Sequence, residues 1–95
     1  MPEAQQGKRL IFNDETVIED GTAGYSEGFL WCWITGFSMQ QAAQVFFDPE
    51  KTEKIIFEYG GLSDTYTGFT NCINISINVD GLVSVCMTKG VNQNV

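Results

Sequence analysis

Residues 28–34 read Gly-Phe-Leu-Trp-Cys-Trp-Ile, GFLWCWI, and they decide how the rest of the chain is read. In an extended strand successive side chains point to opposite faces. Phe29, Trp31 and Trp33 therefore share one face, and Leu30, Cys32 and Ile34 share the other. Both faces are apolar. Such a strand is central and covered on both sides, or it keeps one aromatic face for a partner. Trp31 and Trp33 are on that ground the candidate anchors of an interface, because Trp dominates interface hot spots. The competing reading is that they are core.

A helix follows the break at Gly36. Ser38-Met39-Gln40-Gln41 fits a capping box, with Ser38 as N-cap and Gln41 at the third helical position. Phe37 is placed to staple onto Ala42. Met39, Ala42, Ala43 and Phe46 fall on one helical face with Phe47 beside them. Asp48 precedes Pro49, which disfavours the α region and ends the helix near Phe47. Asp48-Pro49-Glu50 can then cap a further short turn, with Pro49 first.

Upstream, Lys8–Phe12 and Thr16–Ile18 read as two short strands around the turn Asn13-Asp14-Glu15, and residues 19–24 as a loop with two glycines. Downstream, Lys54–Tyr59 alternates as a strand, with Ile55, Phe57 and Tyr59 on one face. Residues 60–63 connect it to a long extended stretch, Asp64–Asn78, in which Gly68 marks a bulge or bend. A three-residue turn, Val79-Asp80-Gly81, pairs Asn78 with Leu82 and sets Ile77 on Val83, Ile75 on Val85 and Ile73 on Met87. The opposite face then carries Cys72, Asn74, Ser76, Ser84 and Cys86, with Cys72 and Cys86 as diagonal neighbours roughly 7–8 Å apart. That is too far for an unstrained disulfide. The predicted fold class is α+β: a mostly antiparallel, curled sheet of about six short strands with one helix, in the order β-β-β-α-β-β-β. Residues 1–7 read as a flexible leader, 8–90 as a single domain and 91–95 as a flexible tail.

Composition bounds the chemistry. The 95 residues are 43% hydrophobic and 13% aromatic, enough for one packed core. Phe29–Ile34 is the longest uninterrupted apolar run, far short of the ~20 residues of a membrane helix. Residues 1–7 lack the apolar segment of a signal peptide, so a cytoplasmic location is expected. Twelve acids against five bases give a net charge of −7, which argues against direct nucleic-acid or anionic-membrane binding. Four of the acids, Asp14, Glu15, Glu19 and Asp20, crowd into seven residues and are candidates for steering onto a basic partner; the competing reading is a solvated loop. Three cysteines and no histidine leave free thiols without the common zinc sites or a histidine base. No serine sits in GxSxG, no glycine pair precedes GK[ST], and no oxygen ladder of a calcium loop is present. No catalytic residue, metal site or cofactor is expected.

Read together, Gly28–Gly36 (GFLWCWITG), Phe46–Thr52 (FFDPEKT) and Thr65–Cys72 (TYTGFTNC) resemble small uncharacterised proteins encoded in prophages and mobile elements of gut Firmicutes. The resemblance implies a phage-related origin, with roles as virion or tail-module parts or as inhibitors of host defence such as anti-CRISPR proteins. It carries over no site residues. The expected function is a non-catalytic binding protein with a protein partner. Its sharpest form is an acidic inhibitor that occludes the basic groove of a bacterial defence nuclease through Asp14, Glu15, Glu19 and Asp20, with exposed aromatics as anchors. The alternative is a structural subunit of a phage tail or connector, assembling through sheet edges and the aromatic face. The oligomeric state stays open.

Overall fold

The computed structural model describes residues 7–90, so the expected leader and tail, Gly7 apart, lie outside the described residues. Among the described residues eight strands form: β1 (Lys8–Phe12), β2 (Val17–Glu19), β3 (Thr22–Ser26), β4 (Phe29–Ile34), β5 (Lys54–Tyr59), β6 (Leu62–Thr67), β7 (Asn71–Ile77) and β8 (Val83–Thr88). Two helices, α1 (Met39–Phe46) and α2 (Pro49–Thr52), lie between β4 and β5. The strands make two four-stranded sheets, β2-β1-β5-β6 and β3-β4-β8-β7, paired antiparallel throughout. The expected mostly antiparallel α+β character holds. The expected single sheet of about six strands is corrected to eight strands in two sheets.

Two local readings account for that correction. Residues 22–26 form β3 rather than a loop, paired along β4 from Thr22↔Trp33 to Ser26↔Phe29. Its turn is Glu27-Gly28, with left-handed φ of +54° and +91° at the two central positions, the pattern of a tight two-residue hairpin. The long extended stretch divides at Gly68 (φ +82°), where the chain leaves the first sheet for the second. Gly68 N–H donates to the Glu53 carbonyl at that crossing (2.9 Å).

The helices follow their predicted caps. Ser38 Oγ accepts from Gln41 N–H (3.1 Å) and Gln41 Oε1 accepts from Ser38 N–H (2.9 Å), so the capping box is complete. Asp48 caps α2 with Pro49 in its first turn. The buried face of α1 is Ala42, Val45 and Phe46. Met39 and Phe47, expected on or beside that face, are exposed: Met39 opens the first turn and Phe47 is the C-cap, while contact with the core runs from Ala42 to Phe46.

Both sheets turn their inner faces to one core. Leu10, Phe12, Ile55 and Phe57 come from the first sheet; Leu30, Cys32, Ile34, Val83, Val85 and Met87 come from the second. Phe12 meets Phe46 of α1 edge to face, with ring centroids 5.5 Å apart. The last hairpin takes the predicted turn: Asn78 N–H donates to the Leu82 carbonyl (3.0 Å), and Ile77↔Val83 and Ile75↔Val85 pair as read. Beyond them a bulge between Cys72 and Asn74 corrects the register. Cys72, not Ile73, lies opposite Met87, and Ile73 is half-exposed. The bulge moves Cys72 to the core side, away from the face that carries Cys86. All three cysteines are free thiols.

Candidate functional site

The outer face of the second sheet is built from rows across its strands. One row runs Gly24, Trp31, Cys86, Asn74; the next runs Thr22, Trp33, Ser84, Ser76. The two indoles are near parallel, 13° between planes, with centroids 6.4 Å apart. Both are half-buried, because each lies over small neighbours rather than standing free. A Cβ placed on Gly24 would come within 3.8 Å of Trp33 Cζ3, so that ring leans over the glycine. Cys86 is only 4% exposed yet stands outside the core cluster, as expected of a small side chain covered from the solvent side by its large neighbours. Phe29 extends the aromatic line to the end of β4 and is 38% exposed.

No charged residue occurs on β3, β4, β7 or β8. The polar groups around the rings are hydroxyls and amides, from Thr22, Ser26, Ser84, Thr88, Asn74 and Ser76. Rigid aromatics among Ser, Gly and Asn are the composition of antibody paratopes. There the rings supply contact area at low entropic cost, and the small polar groups adapt their hydrogen bonds.

The four candidate acids are not brought together. Asp14 and Glu15 occupy the β1–β2 turn; Glu19 and Asp20 stand at the far end of β2. Asp14 accepts from Lys51 Nζ (2.7 Å) and from Thr16 N–H (3.1 Å). These hydrogen bonds, to Lys51 first, hold its carboxyl down at about 2 and push the Lys51 ammonium up. Glu15 and Asp20 take left-handed φ of +73° and +62° and shape their turns. Glu19 pairs across the ladder with Arg9, whose guanidinium donates to Glu58 Oε1 (2.8 Å) and is held above its ordinary value by that bond.

What sequence order missed is the company Asp14 keeps. α2 brings Glu50 and Glu53 to the same shallow groove, lined also by Asn13 and Pro49. Asn13 ties the turn to α2, its N–H reaching the Lys51 carbonyl (3.0 Å) and its Nδ2 the Glu50 carbonyl (3.1 Å). Nothing in the local sequence announces contacts across some 37 residues. Among the described residues no group of three or more Cys, Asp or Glu side chains could hold a metal ion.

Other reactive groups are spoken for. Burial pushes the Cys32 thiol far up, and burial also raises Cys72 and Cys86, so none of the three is an activated thiolate. The Tyr59 hydroxyl donates to Asp64 Oδ2 (3.1 Å) and is raised by it, a cross-strand bond within the β5–β6 hairpin. Tyr25, Tyr66 and Phe69 pack edge to face at one end of the molecule, with Lys89 Nζ 4.9 Å from the Phe69 centroid. That ammonium also donates to the Thr67 carbonyl (2.9 Å), which fastens the end of β8 to the end of β6. Among the described residues no helix is long and apolar enough to cross a membrane. No family model matches the sequence, and neither a curated protein nor a solved structure matches the chain.

Proposed function

We propose that the chain is a non-catalytic binding protein that docks on a protein partner through the Trp31/Trp33 face. The observation that carries this reading is a pair of half-exposed, near-parallel indoles on strands without a single charge, in a chain of net charge −7. The core beneath is complete without them, so the rings do not fill the fold. Of the two phage-type roles, a structural subunit of a tail or connector suits this surface better than a groove-blocking nuclease inhibitor. An assembly contact wants a neutral aromatic centre and a polar rim, whereas an inhibitor of a basic groove wants converging carboxylates. The inhibitor is the second reading. It is favoured by the groove that Asp14 shares with Glu50 and Glu53.

Salt and one substitution separate the two. Virion proteins and defence nucleases are passed over the immobilised chain at about 0.05 and 0.5 M NaCl, with Trp33→Ser in parallel. Capture that survives high salt and falls at least tenfold in Trp33→Ser supports docking on the aromatic face. Capture that collapses with salt and ignores Trp33→Ser assigns the contact to the acidic groove.

A further inference from the structure

We infer that the open edge of β6 takes an extended segment of another protein as a fifth strand of the first sheet, with a Lys or Arg of that segment beside Asp64. This contact lies apart from the Trp31/Trp33 face and does not depend on it.

Backbone geometry is the first argument. Tyr59 and Leu62 flank the two-residue turn Gly60-Gly61 and pair across it. In such a hairpin the flanking pair exchanges both ladder hydrogen bonds, and the bonds then alternate along the strand. Leu62, Asp64 and Tyr66 therefore turn their N–H and C=O to β5, whereas Ser63, Thr65 and Thr67 turn theirs away. Two observed bonds agree. Gly68 N–H, next in the alternation, reaches the Glu53 carbonyl (2.9 Å), and the Thr67 carbonyl is left for Lys89 Nζ (2.9 Å). Among the described residues no other strand or loop bonds to the backbone of Ser63 or Thr65 on that side.

The other three edges offer less. β2 has three residues, β7 is broken by the bulge between Cys72 and Asn74, and in β3 the same alternation turns Ala23 outward, which is only 5% exposed. β6 has six residues in unbroken register, none of them buried. A regular, accessible row of unpaired N–H and C=O groups is recognised by one kind of ligand, an extended backbone.

Side chains set the chemistry of that ligand. Leu62, Asp64 and Tyr66 share the core-facing side of β6, because they pair with Tyr59, Phe57 and Ile55. An added strand meets apolar, acidic and apolar neighbours in turn, so its own alternate residues are apolar, basic and apolar. The net charge of −7 favours the same base. A second copy fails this requirement. Antiparallel pairing of two β6 strands through both Ser63 and Thr65 sets Asp64 against Asp64, with Cα atoms about 4.5 Å apart. The register that avoids this clash needs the Thr67 carbonyl, which Lys89 already holds.

The test is amide exchange and chemical shift in the isotope-labelled chain, titrated to about 5 mM with the blocked peptide Thr-Val-Thr-Arg-Thr-Val-Thr. The Ser63 and Thr65 amides should exchange freely in the chain alone, then shift and become protected as peptide is added. N-methylation of alternate peptide residues on the bonding edge should weaken binding at least tenfold. Thr65→Pro, which removes an N–H that β5 does not use, should do the same while melting as the native chain does. Replacing Arg by Glu in the peptide, or Asp64→Lys in the chain, should weaken binding severalfold, and the two changes together should restore it. If the Ser63 and Thr65 amides are protected before any peptide is added, this chain covers its own edge and the inference falls. It falls equally if the peptide leaves those amides unmoved, or if Asp64→Lys binds the Arg and Glu peptides alike. None of these outcomes bears on the aromatic face, which Trp33→Ser tests separately.

Discussion

The two sheets have four strands each and close on one core, yet they differ in what they show to solvent. The strands of the first sheet carry Lys8, Arg9, Glu19, Lys54, Glu58 and Asp64; those of the second carry no charge at all. Inward, the sheets are equivalent, each lining the core with fully buried aliphatic side chains. Outward, the first is an ordinary solvated surface laced by the Arg9–Glu58 pair, and the second is a flat aromatic surface with small polar flanks. Those six charges cancel, three bases against three acids, so the net −7 comes from residues outside the strands. Where the charge is absent says more about contact than its total does.

The largest expected effects test whether the inward faces are equivalent. Leu10 of the first sheet and Leu30 of the second are both fully buried. Replacing either with Ala should cost about 2–5 kcal/mol, the lost transfer energy plus the cavity left behind. Both tryptophans lie on β4, so fluorescence reports the second sheet alone while circular dichroism reports both. Coincident urea transitions in Leu10→Ala are expected. A dichroism transition that precedes the fluorescence one would break the single core into two units.

A smaller effect is expected at the seam. Gly21 joins β2 to β3, and a Cβ there would meet Leu10 Cγ at 2.8 Å, Leu10 Cδ1 at 2.9 Å and Ile34 Cγ2 at 3.4 Å. Those neighbours belong to different sheets, and both are fully buried with little room to yield. Gly21→Ala should cost about 1–3 kcal/mol by overpacking. A neutral or stabilising result would mean that the sheets can part at this point.

What the sequence made legible was local. The face assignment of β4, the Ser38–Gln41 box, the Asp48-Pro49 start and the Asn78–Leu82 turn each depend on residues within a few positions, and each is found. The misses depend on partners far along the chain. Gly21 and Gly24 look like loop residues. Gly21 is small because Leu10 packs where its side chain would be, whereas a Cβ on Gly24 would make an ordinary contact with Trp33. Asp64–Asn78 reads as one extended stretch bent at Gly68, and only the change of partner strand there reveals two strands in different sheets. The bulge at Ile73 turns Cys72 inward in its place and cannot be seen from alternation. Adjacent acids look like one patch in the sequence, but the strand β2 separates the two pairs, and Asp14 has its neighbours on and beside α2. For the tryptophans the sequence leaves core and interface open; only the pairing of β4 with β3 and β8 shows that their neighbours on that face are Gly24, Thr22, Cys86 and Ser84.

The smallest expected effect uses acid and reads the contact between the β1–β2 turn and α2. Asp14 is held at about 2 in the folded protein, chiefly by Lys51, against an ordinary 3.8. A carboxyl with a depressed folded value adds stability above its unfolded value and loses it as pH falls through the folded one. The Asp14–Lys51 pair joins the β1–β2 turn to α2 and is partly exposed, so its contribution is modest and sensitive to salt. Urea unfolding of the native chain and of Asp14→Asn should therefore differ at pH 7. The difference should shrink between about pH 4 and 2 and vanish below that. A difference that stays constant with pH would trace the cost to the Asp14–Thr16 turn, leaving the ion pair without a part in holding α2 to the first sheet. Leu30→Ala gives the control, since its penalty arises on strands with nothing to titrate in that range and should hold constant over the same pH interval.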